Sequence, residues 1–494
     1  MSERDGLTVE RVGAATEVAA TAPAPPPARR PTQDLFAARA WLGLSLSTLL
    51  LAGLTAVLLV LGRLLPLLGF TDGGGFFRRC LVVHVDMALC LWFYAYLGGL
   101  VALLPSRRPV RGLARAGAAV GALGLALLLT GLLNTGAVPI LCNYVPVLDH
   151  PLHFVALGTF ALGLVLALVD GRLLPGREAA LGPVPVPPAA RVGVRAAALA
   201  VLLALVTLVA SVLSTPPGHL PEARWELVFW GPGHVLQAAS ACAMAAAWLF
   251  LLTPALGRAP VSRGAANALF GLLVAPLLFA PLLAARGTAD VATHAGFTDM
   301  MRYGMAPALL VLLLLCGRAL LRARRDGSLP RPLQDPRVTG FLASAGLTLL
   351  GIALGAAIAG SNTVIPAHYH ASVGGVTASF MALTYLLLEP LGAPIPARLR
   401  PWTRWQPVLY GVGQVVFAVG FAFSGLYGLA RKAYGTEQVV RTTSETVGLA
   451  VMGLGGLVAV VGGAIFLTIV GAAWRARNTT AHDAALTCQP EVAA

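Results

Sequence analysis

Residues 365–380 read IPAHYHASVGGVTASF, and two histidines two positions apart, His368 and His370, open an apolar run that continues to residue 389. Residues two apart on an α-helix are separated by about 200° around the axis, so these imidazoles project to nearly opposite sides of one helix. A single metal ion is poorly served by that spacing, whereas two different groups, one on each side, are well served. Neutral imidazole is a common axial ligand of haem iron. A proton relay would more naturally use neighbours three or four residues apart.

The surroundings of that helix are set by composition. Of the 494 residues 57% are hydrophobic and 11% charged, with a mean hydropathy of +0.78, against roughly 45–50% apolar and about 25% charged in a soluble domain. A water-soluble enzyme is excluded. Apolar runs of about 20 residues, each enough to cross a hydrocarbon core as a helix, lie near 41–64, 80–104, 113–134, 150–170, 192–214, 227–253, 264–285, 300–323, 338–360, 366–389, 405–430 and 447–474. The expected fold is all-α, a polytopic bundle of twelve transmembrane helices over residues 39–476. Residues 1–38, which carry APAPPPARRP and lack the apolar centre of a signal peptide, are expected to form a disordered cytoplasmic tail, and 477–494 a C-terminal cytoplasmic tail.

An even span count puts both termini on one side, so the loops should sort alternately by charge. The connections after spans 2, 4, 6, 8 and 10 carry Arg107, Arg108, Arg111 and Arg115, then Arg172, Arg177 and Arg191, then Arg258 and Arg263, then Arg318 to Arg337, then Arg398, Arg400 and Arg404. Arg29, Arg30, Arg475 and Arg477 fall on the same side. The opposite loops, such as 135–149 and 361–365, are neutral or mixed. The formal charge of +14 therefore reads as cytoplasmic loops in a cell membrane rather than nucleic-acid binding.

Histidines sort by the same topology. His84, His150, His153, His219, His234, His294, His368 and His370 all fall at the outer end of the spans, and only His482 lies in the cytoplasmic tail. Ionisable residues at membrane depth are costly and functional by default, so this layer points to a metal or cofactor site near the outer face. The six cysteines form no CxxC pair and no CxxCH run, so neither a disulfide scaffold nor a covalently attached haem is encoded.

With those histidines in place, the chain over residues 40–475 resembles subunit I of the haem-copper oxidase superfamily, which includes the cytochrome oxidases and nitric oxide reductases. The resemblance rests on four runs in order: CLVVHVDMALCLWFYAYLGGL in span 2, FWGPGHVLQ in span 6, ATHAGFTDMMRYG after span 7, and IPAHYHASVGGVTASF in span 10. It implies two haems and one non-haem metal, iron or copper. His84 and His370 would be the axial ligands of a low-spin haem, and His368 that of a high-spin haem. His234 and His294 would bind the second metal. Arg431 and Lys432 resemble the basic pair near the haem propionates.

Departures from the family pattern carry information too. The histidine usually adjacent to His294 is replaced by Ala295, so a third imidazole is missing; Asp299, Gln237 or Asp290 could substitute, and an oxygen ligand suits iron better than a three-imidazole copper site. His150, His153 and His219 are further candidates at the same depth, read as second-tier hydrogen-bonding groups. The tyrosine that oxygen-reducing members carry four residues past the span 6 histidine is Ala238 here, and no tyrosine lies between His234 and His294. Its loss resembles nitric oxide reductases, although the glutamate that accompanies their second metal is also missing from VLQAA after His234. The expectation is a divergent terminal reductase of a diatomic gas, with NO (to N2O) ahead of O2.

Proton and electron supply are expected to come from the outer side. The inner halves of spans 6 and 10 offer chiefly Ser240, Thr377, Ser379, Thr384 and Tyr385, whereas Asp86, Asp149, Asp290 and Asp299 supply the outer side. Electrons would come from a partner subunit or a periplasmic cytochrome or cupredoxin. The span count alone also permits a twelve-helix secondary transporter, and that alternative stands until haem is sought.

Overall fold

The computed structural model describes residues 33–64, 74–106, 110, 112–174, 182–329, 331–431, 440 and 442–487; most of the expected N-terminal tail lies outside them, as does Lys432. Among the described residues twelve helices are long and apolar enough to cross a membrane. Spans 1 to 6 are Leu35–Leu59, Gly75–Ala102, Leu113–Leu132, Pro151–Leu168, Pro188–Ser214 and Pro221–Leu256. Spans 7 to 12 are Arg263–Ala285, Val291–Arg325, Pro336–Ala356, Val364–Leu388, Ala397–Leu426 and Thr443–Arg477. Each coincides with a run read from hydropathy. The first helix opens at Leu35, inside the stretch assigned to the tail, where the Asp34 carboxylate accepts from the Ala37 amide.

Spans 6 and 10 form the centre. In both, 83% of the most apolar window is buried, against 28% in span 8. Span 6 achieves this with small side chains, Ala238 to Ala247, which let neighbouring helices approach closely. At its inner end Trp248 donates to Ser344 Oγ at 2.7 Å, and Ser344 donates to the Gly375 carbonyl at 2.6 Å, which ties spans 6, 9 and 10 together.

Spans 2 and 10 meet lower down, where Tyr96 stacks on Phe380 at 4.3 Å between centroids and donates to the Phe380 carbonyl at 3.0 Å. From that contact His84 lies twelve residues back along span 2 and His370 ten residues back along span 10. At 1.5 Å per residue these are ~18 Å and ~15 Å, so the two imidazoles reach a similar level. Just past His84 the helix widens into a π-helical segment, Asp86–Leu91, and span 8 has another at Met300–Met305; such segments are frequent where a side chain must be re-aimed at a site.

Spans 11 and 12 pack along a glycine seam. A Cβ on Gly455 would stand 2.2 Å from the Phe417 amide nitrogen, and one on Gly462 would stand 2.7 Å from that of Tyr410. Outside the spans, Val138–Ile140 pairs antiparallel with Val147–Asp149. The loop 135–149 is thus a short β-hairpin at the arginine-poor face, a feature that charge and hydropathy did not announce.

Candidate functional site

Hydrogen bonding fixes the tautomers of the span histidines. A carbonyl oxygen only accepts, so His84, whose Nδ1 lies 2.8 Å from the Ala52 carbonyl, carries its proton on Nδ1 and its lone pair on Nε2. His368 does the same from another helix, with Nδ1 2.7 Å from the Gly351 carbonyl of span 9. That is how ligating histidines are generally held: one nitrogen bonded to a backbone carbonyl, the other basic and oriented.

His370 projects the other way, as the two-residue spacing requires. His368 lies against Gly355 of span 9; His370 packs on Phe417 of span 11 at 4.3 Å and approaches Phe421 at 6.4 Å. Despite these neighbours His370 is exposed, and His84 and His368 are half-buried. Together the three imidazoles offer a donor set that fits two haems: His84 and His370 on one side of span 10, His368 on the other.

The second metal's expected ligands are arranged differently. His234 lies buried in Gly231-Pro232-Gly233-His234, where a Cβ on Gly231 would meet Phe297 and one on Gly233 would meet Tyr144. Its Nδ1 donates to the Trp230 carbonyl at 2.8 Å, one turn back, and its Nε2 accepts from the Tyr144 hydroxyl at 2.9 Å. His294 stacks on the Trp230 indole at 4.7 Å and donates from Nε2 to the Thr288 carbonyl at 2.8 Å. Trp230 therefore touches both imidazoles. Among the described residues no three His, Cys, Asp or Glu side chains stand where one ion could bind them all, so a three-imidazole copper site does not fit.

The remaining candidates separate from this pair. Asp290 caps span 8 by accepting from the Ala292 amide, Asp299 is exposed, and Gln237 Oε1 is buried with no hydrogen-bond partner. His150 caps span 4, its Nδ1 accepting from the Leu152 amide, and His219 is exposed. Arg431 donates to Asn143 Oδ1 at 2.8 Å and hydrogen-bonds Tyr369. Its Nε is buried with no hydrogen-bond partner among the described residues. Ser240 and Thr384 bond Tyr94 and Tyr96 of span 2, the helix-to-helix role typical of membrane hydroxyls. Tyr144 escaped the sequence reading, because nothing local in a loop 90 residues before His234 marks the contact.

His153 lies 3.5 Å from Asp86, with the two side chains 1% and 0% exposed, a distance too long for a strong hydrogen bond, and among the described residues neither side chain has a hydrogen-bond partner. Burying polar atoms without partners is costly, so replacing both residues by apolar ones removes that cost, whereas His153→Leu leaves the Asp86 carboxyl buried alone. The double variant Asp86→Leu/His153→Leu is therefore expected to melt closer to wild type than His153→Leu does. Equal melting temperatures for the single and double variants would show that the pair is not coupled.

No family model matches the chain. It is 26% identical to an uncharacterized protein of Rickettsia prowazekii over 499 aligned positions, 88% of this chain and 95% of the relative. It is also 26% identical to an uncharacterized protein of Aquifex aeolicus, over 71% of this chain and 84% of the relative. A solved structure, the cryo-EM structure of a heme-copper terminal oxidase dimer, superposes with a TM-score of 0.66 at 16% identity, covering 89% of this chain and 84% of that one. The fold is an all-α, multi-pass membrane bundle similar to that oxidase.

Proposed function

We propose that the protein is a membrane terminal reductase that passes electrons to a diatomic gas through a low-spin haem and a high-spin haem facing a second metal. One observation carries this reading: His84 and His368, on different helices, each bond a backbone carbonyl through Nδ1 and keep the Nε2 lone pair. His370, on the side of span 10 away from His368, would hold the low-spin haem together with His84. When bound, the haems and metal supply several electrons to one small molecule. The chain's own residues would orient them: Ala52 and Gly351 fix ring tautomers, Phe417 packs His370, and Arg431 would receive a propionate.

NO is the preferred substrate, because Ala238 stands where oxygen-reducing members resemble one another in carrying tyrosine. Electrons come from a partner subunit or a periplasmic cytochrome or cupredoxin. Both termini lie on the cytoplasmic side of a bacterial cell membrane, as the arginines imply.

Purified protein is expected to be coloured, with low-spin and high-spin haem bands, and to consume NO faster than O2 when the two gases are assayed in parallel. Faster O2 consumption would reverse the substrate order. A colourless preparation from haem-replete cells would overturn the reading in favour of the transporter.

A further inference from the structure

We infer that this chain carries its two haems without a non-haem metal, and that Tyr144 takes the position beside His234 that the ion would need. The inference rests on the terminal-reductase reading for the haems and amends it at the second metal. A histidine that binds a metal engages one ring nitrogen with a backbone carbonyl or a carboxylate and presents the other to the ion. His234 meets the first condition through Nδ1 and the Trp230 carbonyl at 2.8 Å, but its Nε2 accepts from the Tyr144 hydroxyl at 2.9 Å. His294 donates from Nε2 to the Thr288 carbonyl at 2.8 Å, which leaves its lone pair on Nδ1. One free imidazole nitrogen does not make a site, since protein-held zinc, iron and copper take three or more donors from the chain.

Tyr144 is held there from several directions. Among the described residues it is the non-glycine residue with positive φ, at 68°, a conformation that bulky side chains rarely adopt. It sits in the loop of the hairpin formed by Val138–Ile140 and Val147–Asp149. The preceding Asn143 is clamped from two sides: its amide and side chain donate to Glu226, and its Oδ1 accepts from Arg431. Gly233 makes room for the ring, since a Cβ there would lie 2.4 Å from both Tyr144 Cβ and Cγ. Further rings surround the imidazoles. Between centroids, the Trp230 indole stacks on His294 at 4.7 Å, lies 5.0 Å from His234 and meets Tyr144 edge-on at 5.8 Å, while Phe297 stands 5.9 Å from His234.

The other candidate donors do not complete a set. Ala295, next to His294, offers no lone pair on its side chain; Asp290 accepts from the Ala292 amide as a helix cap, and Asp299 is exposed. Gln237 adds a neutral amide oxygen, a donor that suits magnesium or calcium better than copper. Among the described residues no three His, Cys, Asp or Glu side chains stand where one ion could bind them all. What the chain builds instead is a phenol donating to an imidazole among aromatic rings. Such a pair costs less to bury at membrane depth than a divalent cation with no carboxylate to balance it.

The test uses full-length protein purified from haem-replete cells grown with added iron and copper, then incubated anaerobically with iron(II) or copper(I) and desalted. Total iron is expected to equal haem iron, a ratio of one rather than three to two, with copper and zinc far below one ion per chain before and after the incubation. The oxidised protein should show the electron paramagnetic resonance signal of uncoupled high-spin ferric haem at one spin per chain, since no second paramagnetic ion stands beside it. Metal content should be the same in His234→Leu as in wild type. A third iron or a copper per chain that is lost in His234→Leu, or a high-spin signal silenced by magnetic coupling, would overturn this inference and leave the terminal-reductase reading standing. Protein without haem would bring down that reading, and this inference with it.

Discussion

His84→Ala is expected to remove the low-spin haem spectrum and spare the high-spin one, while His368→Ala does the reverse, and each lowers gas turnover at least about 100-fold. The split follows from which side of span 10 each imidazole serves. His84 Nε2 is presented from span 2 by the Ala52 carbonyl, and His370 projects toward Phe417 and Phe421. His368 is held on the far side by Gly351. Under the proposed assignment, His84→Ala would leave the low-spin haem held by His370 alone, and His368→Ala would leave the high-spin haem with no protein ligand. Turnover falls in both cases because electron delivery and gas reduction require both groups at fixed positions, and misplacement of a reacting centre by ~1 Å already costs about 100-fold. His370→Ala should reproduce the spectrum of His84→Ala. His234→Ala should abolish turnover with both haems retained. Both spectra intact in His84→Ala would refute the ligand assignment; loss of both in every variant would point to general misfolding, which the next comparison controls.

The bundle was legible in the sequence because its governing signal is local. Hydropathy over about 20 residues marks a span, so the twelve runs could be read without any contact. The opposite projection of His368 and His370 was legible for a similar reason, since one helix's angular step determines it. The partners of those histidines were not. Ala52 and Gly351 contribute only backbone carbonyls, which every residue possesses, and they are reached from helices far along the chain. Tyr144 depends on a hairpin of two three-residue strands in a loop whose neutrality said only that it faced outward. His150 and His153 illustrate the converse. Their depth placed them in the layer, but it did not announce that His150 caps span 4 or that His153 stands 3.5 Å from Asp86. Depth is a property of the sequence; direction around the helix, next to a π-helical segment, is not.

Gly455→Leu is expected to prevent accumulation of haem-loaded protein, whereas Gly453→Leu, two residues away, should behave as wild type. Gly448, Gly455 and Gly462 recur every seven residues on span 12, the period that keeps one face of a helix against its neighbour in a left-handed supercoil. Against them lie Gly413 and Gly420 of span 11, also seven apart. A Cβ on Gly455 would stand 2.2 Å from the Phe417 amide nitrogen and 2.8 Å from the Gly413 carbonyl, and one on Gly413 would stand 2.3 Å from the Ala459 amide nitrogen. These are backbone atoms, which cannot rotate aside, so any larger side chain must force the helices apart. Overpacking costs typically about 1–3 kcal/mol when neighbours can adjust, and here they cannot, so at least the upper end applies. Separation of span 12 from span 11 would also displace Phe417, whose ring packs on His370 at 4.3 Å. The low-spin haem should therefore be the first group lost. Gly453 is exposed and a Cβ there meets nothing within 4 Å, so leucine at that position adds only a lipid-facing side chain. Equal haem content and thermal stability in the two variants would mean that the seam does not hold the bundle together. A preferential loss in Gly455→Leu would tie a stripe of glycines, remote in sequence from His370, to the geometry of the haem site.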